Sequence, residues 1–149
     1  MLVRLTALLG VLLALSGCPG AGRTETGFPN GTSVHTMAFG GLNRTYRVYK
    51  AAGLPAAAPL VVMLHGVSGG GEQAENSYGW DPLADSAKFV VAYPDGVGRA
   101  WNGHGCCGWP ARENIDDVGF IAAMVGQISA ALAIDKSRVY ATEIGRAHV

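Results

Sequence analysis

Pro59–Gly71, PLVVMLHGVSGGG, carries the strongest fold signal in the chain. Its first half, Leu60–Leu64, is an unbroken apolar run with two valines, and a His-Gly pair follows it directly. A short apolar run that ends in a turn signal is typical of a strand buried on both faces of a parallel sheet. The glycines beyond it allow the backbone to approach a ligand with its N–H groups pointing inward. The stretch therefore predicts a central strand followed by a ligand-binding loop.

Strand and helix patterns alternate along the rest of the chain. Strands are predicted at Ser33–Phe39, Arg44–Lys50, Leu60–Leu64, Phe89–Tyr93 and Arg138–Thr142, and helices at Tyr78–Lys88 and Ile115–Ile134. Gly40–Asn43 and Asp135–Ser137 have the composition of turns, and Asp81 is the expected N-cap of the first helix. Because alternating strands and helices form right-handed crossovers, the order predicts an α/β fold, a mostly parallel sheet with an antiparallel N-terminal hairpin.

Composition and charge exclude several classes of protein. The chain has 149 residues, enough for one modest domain, and its formal net charge is zero with no basic block. Nucleic-acid binding therefore has no electrostatic support. The 22 glycines cluster in loops without a fixed period, which excludes a collagen-like chain.

The N-terminal segment has the pattern of an export signal. Met1–Gly17 contains the apolar core Leu5–Leu15, which is too short for a membrane-spanning helix of about 20 residues. Leu15-Ser16-Gly17-Cys18 resembles the lipobox of bacterial lipoproteins, in which the cysteine is acylated and becomes the new N-terminus. Residues 1–17 are thus predicted to be a signal peptide, Cys18 to anchor the exported protein to a membrane, and residues 18–32 to form a flexible tether. An ordinary secreted protein with a chance cysteine is the alternative.

From Arg44 to Thr142 the chain resembles the polyhydroxybutyrate depolymerase and feruloyl esterase family of α/β-hydrolases. The matching segments occur in the family's order, and they are Arg44-Thr45-Tyr46, Pro59–Gly66, Gly79-Trp80-Asp81, Tyr93–Gly96, Trp101-Asn102, Cys106-Cys107-Gly108, Asn114–Phe120 and Arg138–Thr142. The resemblance implies that residues 33–142 form the N-terminal half of an α/β-hydrolase, a three-layer sandwich. It also implies an ester substrate, either a polyhydroxyalkanoate, an aryl or feruloyl ester or an acetylated polysaccharide, and no metal or organic cofactor.

The glycine loop matches the family's oxyanion loop. In such hydrolases the loop after this strand supplies a backbone N–H that stabilises the tetrahedral intermediate. The resemblance implies that the Val67 N–H is this donor, that His65 and Gly66 support the loop, and that the general base lies elsewhere, downstream. A glycine turn without a ligand is the alternative.

The chain departs from the family after Thr142. There the family has a Gly-x-Ser-x-Gly nucleophile elbow, and the Asp and His of its triad come later. Glu143–Val149, EIGRAHV, contains no serine. The same peptide is encoded by GAG ATC GGA AGA GCA CAC GTC, which resembles a common sequencing-library adapter. Residues 143–149 are therefore expected to be an artefact, and this fragment of the enzyme is expected to be inactive. A genuine C-terminus, in a non-catalytic surface lipoprotein that uses the hydrolase scaffold as a binding module, is the alternative.

Three loop residues are candidates for substrate binding. Trp101, Asn102 and Trp109 lie on the long loop Val97–Glu113, which follows a predicted strand at its carboxyl end. Open α/β sheets bind ligands at that edge, so an aromatic wall for an acyl or aryl group is expected there. Packing of the loop is the alternative interpretation.

The remaining candidates have structural interpretations. Asp116 and Asp117 lie at a predicted helix start, where acidic residues act as caps and interact with the helix dipole. Asn114 is a third candidate for the cap. Cys106 and Cys107 have no second ligand pair that would make a metal site. In an exported protein they are disulfide candidates, with each other or with a cysteine downstream.

Overall fold

The computed structural model of the protein describes residues 27–103 and 107–143. Several predictions fall outside these residues: the signal peptide, the lipid-bearing Cys18, most of the tether, Cys106, and residues 144–149 of the expected artefact. Within the described ranges, no helix is both long enough and apolar enough to cross a membrane.

The described residues form a mixed sheet with helices on both faces. In chain order the elements are β1 (Gly31–Phe39), β2 (Leu42–Lys50), β3 (Ala58–Leu64), α1 (Gly71–Tyr78), α2 (Trp80–Ala87), β4 (Val90–Pro94), a 3₁₀ turn (Val97–Arg99), α3 (Gly108–Arg112), α4 (Asp117–Ala131) and β5 (Ile134–Glu143). The five strands lie in the order β1-β2-β4-β3-β5. Because β4 inserts between β2 and β3, it pairs antiparallel with β2 and parallel with β3. The sheet therefore contains two antiparallel pairs, β1 with β2 and β2 with β4, whereas only the first was predicted.

The hairpin between β1 and β2 closes through two glycines. Phe39 pairs with Leu42, which leaves Gly40 and Gly41 in the loop. Their φ angles are 58° and 75°. A two-residue hairpin turn with positive φ at both positions matches the twist of its strands, and glycine adopts it without steric cost. The predicted hairpin is confirmed, with a tighter turn than Gly40–Asn43.

The sheet separates two apolar cores, which gives the predicted three layers. On one face α4 packs through Phe120, Met124 and Ile128, which share one side of the helix at a spacing of four residues. On the other face α1 and α2 cover the side chains of β3 and β4. Every residue of β4 is buried, because this strand is covered on both faces. That double burial is the reason its sequence is a continuous apolar run.

A bulge interrupts the pairing of β3 with β5. Ala58 pairs with Ile134 and Leu60 with Val139, so β5 loops out opposite Pro59. Proline has no N–H to donate to the ladder, which accounts for the interruption at this point. Asp135 closes the looped-out turn by accepting hydrogen bonds from the amide (3.0 Å) and hydroxyl (2.6 Å) of Ser137. The turn predicted at Asp135–Ser137 is therefore present as a bulge within β5.

Three features of the helices differ from the prediction. α3 lies inside the predicted loop Val97–Glu113. α1 forms between Gly71 and Tyr78, where no element was predicted, because its sequence, GEQAENSY, is too polar to show a helical apolar stripe. Gly79, with φ 72°, separates it from α2, which begins at Trp80. The predicted capping role of Asp81 is wrong, since Gly79 occupies the N-cap position. The Asp81 carboxylate instead accepts a hydrogen bond from the Tyr93 hydroxyl (2.6 Å), across to β4.

Contacts with the sheet extend N-terminal to the predicted domain boundary at residue 33. β1 begins at Gly31. The Phe28 ring lies 4.3 Å from that of His35, measured between centroids. The Lys50 ammonium donates to the Phe28 carbonyl (3.1 Å). The end of the predicted tether, from Phe28 onward, therefore packs against the first two strands.

Candidate functional site

The glycine loop, His65–Gly70, follows β3 at its carboxyl end. The Gly69 amide donates to the Gly66 carbonyl (2.9 Å) and closes a turn with Val67 and Ser68 at its centre. Ser68 has a φ of 69°, the sign that a type II turn requires at its third residue. The Ser68 amide donates to the Arg99 carbonyl (2.8 Å), so the turn is also held from outside.

Val67 lies at the exposed tip of this turn. The residue is 58% exposed. Unlike the amides of Ser68 and Gly69, its N–H has no acceptor among residues 27–103 and 107–143, and the same is true of the flanking Gly66 and Gly70 amides. An exposed backbone N–H that no protein group accepts is available to a ligand. A fixed, unpaired N–H of this kind is what an oxyanion donor requires.

His65 is completely buried beneath the loop. Its Nε2 lies 3.0 Å from the Gly96 amide nitrogen and its Nδ1 lies 2.8 Å from the Gly66 carbonyl oxygen. Because the Gly96 amide must donate, Nε2 is the acceptor and the ring proton is assigned to Nδ1, which donates to Gly66. Both ring nitrogens are thus occupied by backbone groups. This arrangement supports the role inferred for His65, which is to hold the loop rather than to transfer protons.

The segment after β4, Gly96–Trp101, contacts the glycine loop through hydrogen bonds and is named the supporting segment. The Trp101 indole N–H donates to the His65 carbonyl (2.8 Å), and the two ring centroids are 4.9 Å apart. The Arg99 Nε donates to the Gly69 carbonyl (3.1 Å). The Gly96 amide donates to the His65 ring, and the Arg99 carbonyl accepts from the Ser68 amide. The supporting segment therefore makes four hydrogen bonds to the glycine loop.

Among the described residues, the other predicted substrate-binding residues, Asn102 and Trp109, make no hydrogen bond to the glycine loop. Asn102 donates its backbone N–H to Asp117 (2.7 Å) and its side-chain amide to the Ile115 carbonyl (3.0 Å). It lines a cavity of about 470 Å³ at the start of α4. Trp109 lies in α3 and is 42% exposed. Substrate binding by Trp101, Asn102 and Trp109 stays a prediction.

A buried ion pair that the sequence analysis missed holds α4 against the sheet. The Arg44 Nη2 lies 2.6 Å from the Asp117 Oδ1, and the two side chains are 2% and 4% exposed. Arg44 also donates to the Asp95 carbonyl (3.2 Å), and its guanidinium lies 3.9 Å from the centre of the Phe120 ring. The alternation of β2 could have predicted that Arg44 is buried, because Arg44 lies on the same inward face of the strand as Tyr46, two residues further along.

Asp116 and Asp117 have different structural roles. Asp116 caps α4, accepting a hydrogen bond from the Gly119 amide (2.8 Å). It is therefore the cap among the three predicted candidates. Asp117 pairs with Arg44 and accepts from Asn102, so it connects α4 to the loop after the supporting segment.

The acidic residues on the α1 and α2 face are also partnered. Glu75 is buried and accepts hydrogen bonds from the Thr32 hydroxyl and the Arg47 guanidinium. Burial raises the pKa of Asp81, and burial followed by the hydrogen bond to Asp81 raises the pKa of Tyr93. Within the part of the chain that the structure describes, no group of His, Cys, Asp and Glu side chains is placed to hold a metal ion. Cys107 is disulfide-bonded, and Cys18 and Cys106 lie outside the described residues.

No protein-family model matches the chain. Among curated proteins it is similar to NocK of Nocardia uniformis subsp. tsuyamanensis, which carries the name of an esterase (32% identity over 116 residues, 74% of this chain and 33% of that protein). It is also similar to poly(3-hydroxyalkanoate) depolymerase C of Paucimonas lemoignei (38% over 95 residues, 61% and 22%) and to feruloyl esterase B of Piromyces equi (32% over 89 residues, 57% and 16%). The chain spans a third or less of the length of each of these relatives.

Two solved structures share the fold. The LpqC poly(3-hydroxybutyrate) depolymerase from Bordetella parapertussis has a TM-score of 0.58 at 22% identity, with 77% of this chain and 43% of that chain covered. An acetyl xylan esterase from Aspergillus awamori has a TM-score of 0.58 at 21% identity, with 74% and 42% covered. These structures confirm the predicted class, a partial α/β-hydrolase fold, and the curated relatives confirm the resemblance inferred from the sequence.

Proposed function

We propose that this chain, a partial α/β-hydrolase similar to the polyhydroxybutyrate depolymerase and feruloyl esterase family, carries the oxyanion loop of an exported serine esterase. The observation that supports the proposal is the Val67 amide at the carboxyl end of β3, which has no acceptor among the described residues, while the Gly66 carbonyl and the Ser68 amide on either side of it are held by hydrogen bonds. The substrate is a carboxylic ester: a polyhydroxyalkanoate, an aryl or feruloyl ester, or an acetylated polysaccharide. Relatives named for such substrates favour this class.

The position of β5 supports a nucleophile directly after this strand. β5 runs parallel to β3, and Thr142, the last residue that the resemblance covers, pairs with Met63, two residues before His65. Neighbouring strands lie about 4.8 Å apart, so a residue that follows β5 is close to the glycine loop. For the complete protein we propose a serine there, on a Gly-x-Ser-x-Gly elbow whose sharp turn presents the hydroxyl to the oxyanion donors.

The proposed reaction proceeds through an acyl-enzyme. The serine oxygen attacks the ester carbonyl carbon, and its proton passes to the histidine of a Ser-His-Asp triad located further along the complete chain. The carbonyl oxygen becomes an oxyanion, to which the Val67 N–H donates as the negative charge develops. The intermediate then expels the alcohol, which takes the proton from the histidine. Water attacks the acyl-enzyme with the same histidine as base, releasing the acid and the free serine.

Export and anchoring complete the proposal. The leader Met1–Gly17 and the lipobox ending at Cys18 direct the protein to the bacterial cell envelope, where acyl chains on Cys18 hold it on a membrane. Expressed in a bacterium, the protein should partition with the membrane fraction, and Cys18→Ala should release it. Ser16→Ala, which keeps the cysteine, is the matched control. A wild-type protein recovered entirely in the soluble fraction would contradict the anchor.

The experiment that tests the esterase is recovery of the complete reading frame followed by an assay on a short-chain nitrophenyl ester. A Gly-x-Ser-x-Gly sequence after Thr142 and hydrolysis that is lost on replacing that serine with alanine are the expected results. The 149-residue chain assayed alone should show no turnover. A folded complete protein with a continuous frame and no elbow would contradict the proposal and would favour the binding-module alternative.

A further inference from the structure

We infer that the supporting segment, Gly96–Trp101, positions the oxyanion donor, and that Trp101 and Arg99 are positioning residues rather than substrate contacts. The inference rests on the proposed function, because it concerns the orientation of the Val67 N–H. It differs from the sequence-based expectation for Trp101, which was a place in the wall of the substrate site.

The first step concerns the peptide unit that contains the donor. The Gly66 carbonyl and the Val67 N–H belong to one planar, trans peptide, so they point in opposite directions. The Gly66 oxygen accepts two hydrogen bonds from the protein, one from the His65 ring (2.8 Å) and one from the Gly69 amide (2.9 Å). These two bonds hold the carbonyl inward. The Val67 N–H is thereby directed outward, where it has no acceptor of its own among the described residues.

The second step concerns what holds the His65 ring and backbone. The other ring nitrogen accepts from the Gly96 amide (3.0 Å), which favours the tautomer that donates to Gly66 and holds the ring in that orientation. The carbonyl of His65 accepts from the Trp101 indole (2.8 Å), and the two rings pack 4.9 Å apart. The supporting segment therefore fixes His65 at both its backbone and its side chain, and His65 transmits that constraint to the donor peptide.

The third step concerns the opposite side of the donor. Arg99 holds the residues that follow Val67 at two points, through its carbonyl to the Ser68 amide (2.8 Å) and through its Nε to the Gly69 carbonyl (3.1 Å). Arg99 has a φ of 62°, in the left-handed region that non-glycine residues rarely adopt. Such a conformation persists only where the surrounding contacts determine it, which agrees with a positioning role.

The fourth step concerns how closely the supporting segment packs. Gly96 has an ordinary φ of −73°, so its backbone does not require glycine. A Cβ at this position would instead lie 2.3 Å from the Ala100 carbonyl oxygen and 3.1 Å from the Trp101 ring. Glycine is needed here because the Ala100 carbonyl lies directly against Gly96. The same close packing brings the Gly96 amide and the Trp101 indole to one histidine.

The test uses the complete protein and the variant Trp101→Phe, which keeps an aromatic ring on His65 and removes the N–H that donates to its carbonyl. Positioning predicts a fall in kcat of about tenfold with KM changed less than about twofold, because the loss lies in the orientation of a transition-state donor. It also predicts about tenfold faster hydrogen exchange at the Ser68 and Gly69 amides, since their partners loosen. Trp80→Phe, the same change in α2, is the matched control and should alter neither quantity.

A second variant guards against loss of folding in the first. Arg99→Ala removes an exposed side chain and its bond to Gly69, so its melting temperature should stay near that of the wild type while the exchange of the Gly69 and Ser68 amides accelerates. Arg112→Ala, an exposed arginine in α3, is its control.

The outcomes separate this inference from the proposed function. A raised KM with normal kcat and unchanged amide exchange in Trp101→Phe would overturn the positioning role. Trp101 would then be assigned to substrate binding. A wild-type protein without esterase activity would overturn the proposed function instead. In that case accelerated amide exchange in Trp101→Phe and Arg99→Ala would still support the inference that the supporting segment fixes the glycine loop. Unchanged exchange would overturn that inference.

Discussion

The glycine loop and the outer edge of β5 belong to the same sheet but differ in how many of their backbone N–H and C=O groups have hydrogen-bond partners. Around the glycine loop, the carbonyls of Gly66 and Gly69 and the amide of Ser68 all have partners within the fold. β5, by contrast, pairs with β3 on one side, and no strand of the described residues pairs with its other edge. Tyr140 on this strand is 55% exposed.

The helix beside β5 also has a group without a partner among the described residues. A groove of about 410 Å³ between α4 and β5 is lined mainly by small and apolar side chains, among them Val125 and Val139. The Ser129 hydroxyl is buried here and has no hydrogen-bond partner among the residues that the structure describes. The hydrogen bonds that hold the Val67 peptide come, by contrast, from the segments after β3 and β4. They do not depend on what pairs with β5, whose open edge is a template for a further strand.

The largest effect expected is the loss of the buried ion pair between Arg44 and Asp117, which holds α4 against the sheet. Arg44→Met leaves the Asp117 carboxylate buried without its cation, which should lower the free energy of unfolding by about 3–5 kcal/mol. The matched variant on the β5 side is Arg138→Met, which breaks a pair with Asp135 whose side chains are 44% and 27% exposed. Solvent screens that pair, so its loss should cost far less than the loss of the buried pair. Urea denaturation of both variants measures the difference, and equal losses would contradict the contrast between the two regions.

The next effect concerns catalysis at the glycine loop in the complete protein. Val67→Pro removes the proposed donor N–H, and loss of one such donor typically lowers kcat by about 10²–10³, or roughly 3–4 kcal/mol. Val67→Ala keeps the N–H, so its kcat should exceed that of Val67→Pro by this factor. Circular dichroism and thermal melting check that the proline variant is folded. Near-normal kcat in a folded Val67→Pro enzyme would exclude Val67 as the donor.

His65→Ala tests the assignment of the neighbouring histidine. The change removes the ring that holds the Gly66 carbonyl, so kcat should fall through disorder of the loop. The pH-rate profile should keep its shape, because a residue that only supports the loop contributes no titrating step. A kcat that becomes independent of pH where the wild-type profile bends would identify His65 as the general base.

Alanine at two glycines should give effects of opposite sign in the two regions. Gly96→Ala forces a methyl group against the Ala100 carbonyl at 2.3 Å, which should cost about 1–3 kcal/mol of stability. Gly126 lies inside α4 with nothing within 4 Å of the added Cβ, so Gly126→Ala should stabilise the helix by up to about 1 kcal/mol. Thermal melting distinguishes the two variants. A destabilised Gly126→Ala would indicate that the groove beside α4 is filled in solution.

The smallest effect concerns the pKa of Asp135 in the bulge of β5. Hydrogen bonds from Ser137, followed by the contact with Arg138, lower this pKa from 3.8 to about 2. Since the folded value is the lower one, the stabilisation is present above pH 3.8 and is lost as the pH falls through about 2. A carboxyl ¹³C titration measures this pKa directly. Ser137→Ala should move it back towards 3.8, and an unchanged value would mean that Arg138 alone causes the shift.

Local patterns in the sequence were enough to identify most elements and the class of fold. The apolar runs of β3 and β4, the glycine pair of the hairpin and the four-residue spacing of Phe120, Met124 and Ile128 all depend on neighbours a few residues away. Such periodicities are set by which faces are buried, so they can be recognised without a partner. α1 was missed for the same reason, because its polar sequence buries too little to leave a pattern.

The hold on the glycine loop arises from contacts between distant parts of the chain. Arg44 and Asp117 are 73 residues apart, and Trp101 meets the carbonyl of His65 across 36 residues. No local pattern encodes such pairs, because they form only when β4 inserts between β2 and β3 and brings the segment after it beneath the loop. The sequence therefore identified Val67 and His65 as candidates from the motif, whereas the direction of the Val67 N–H depends on hydrogen bonds that exist only in the folded sheet.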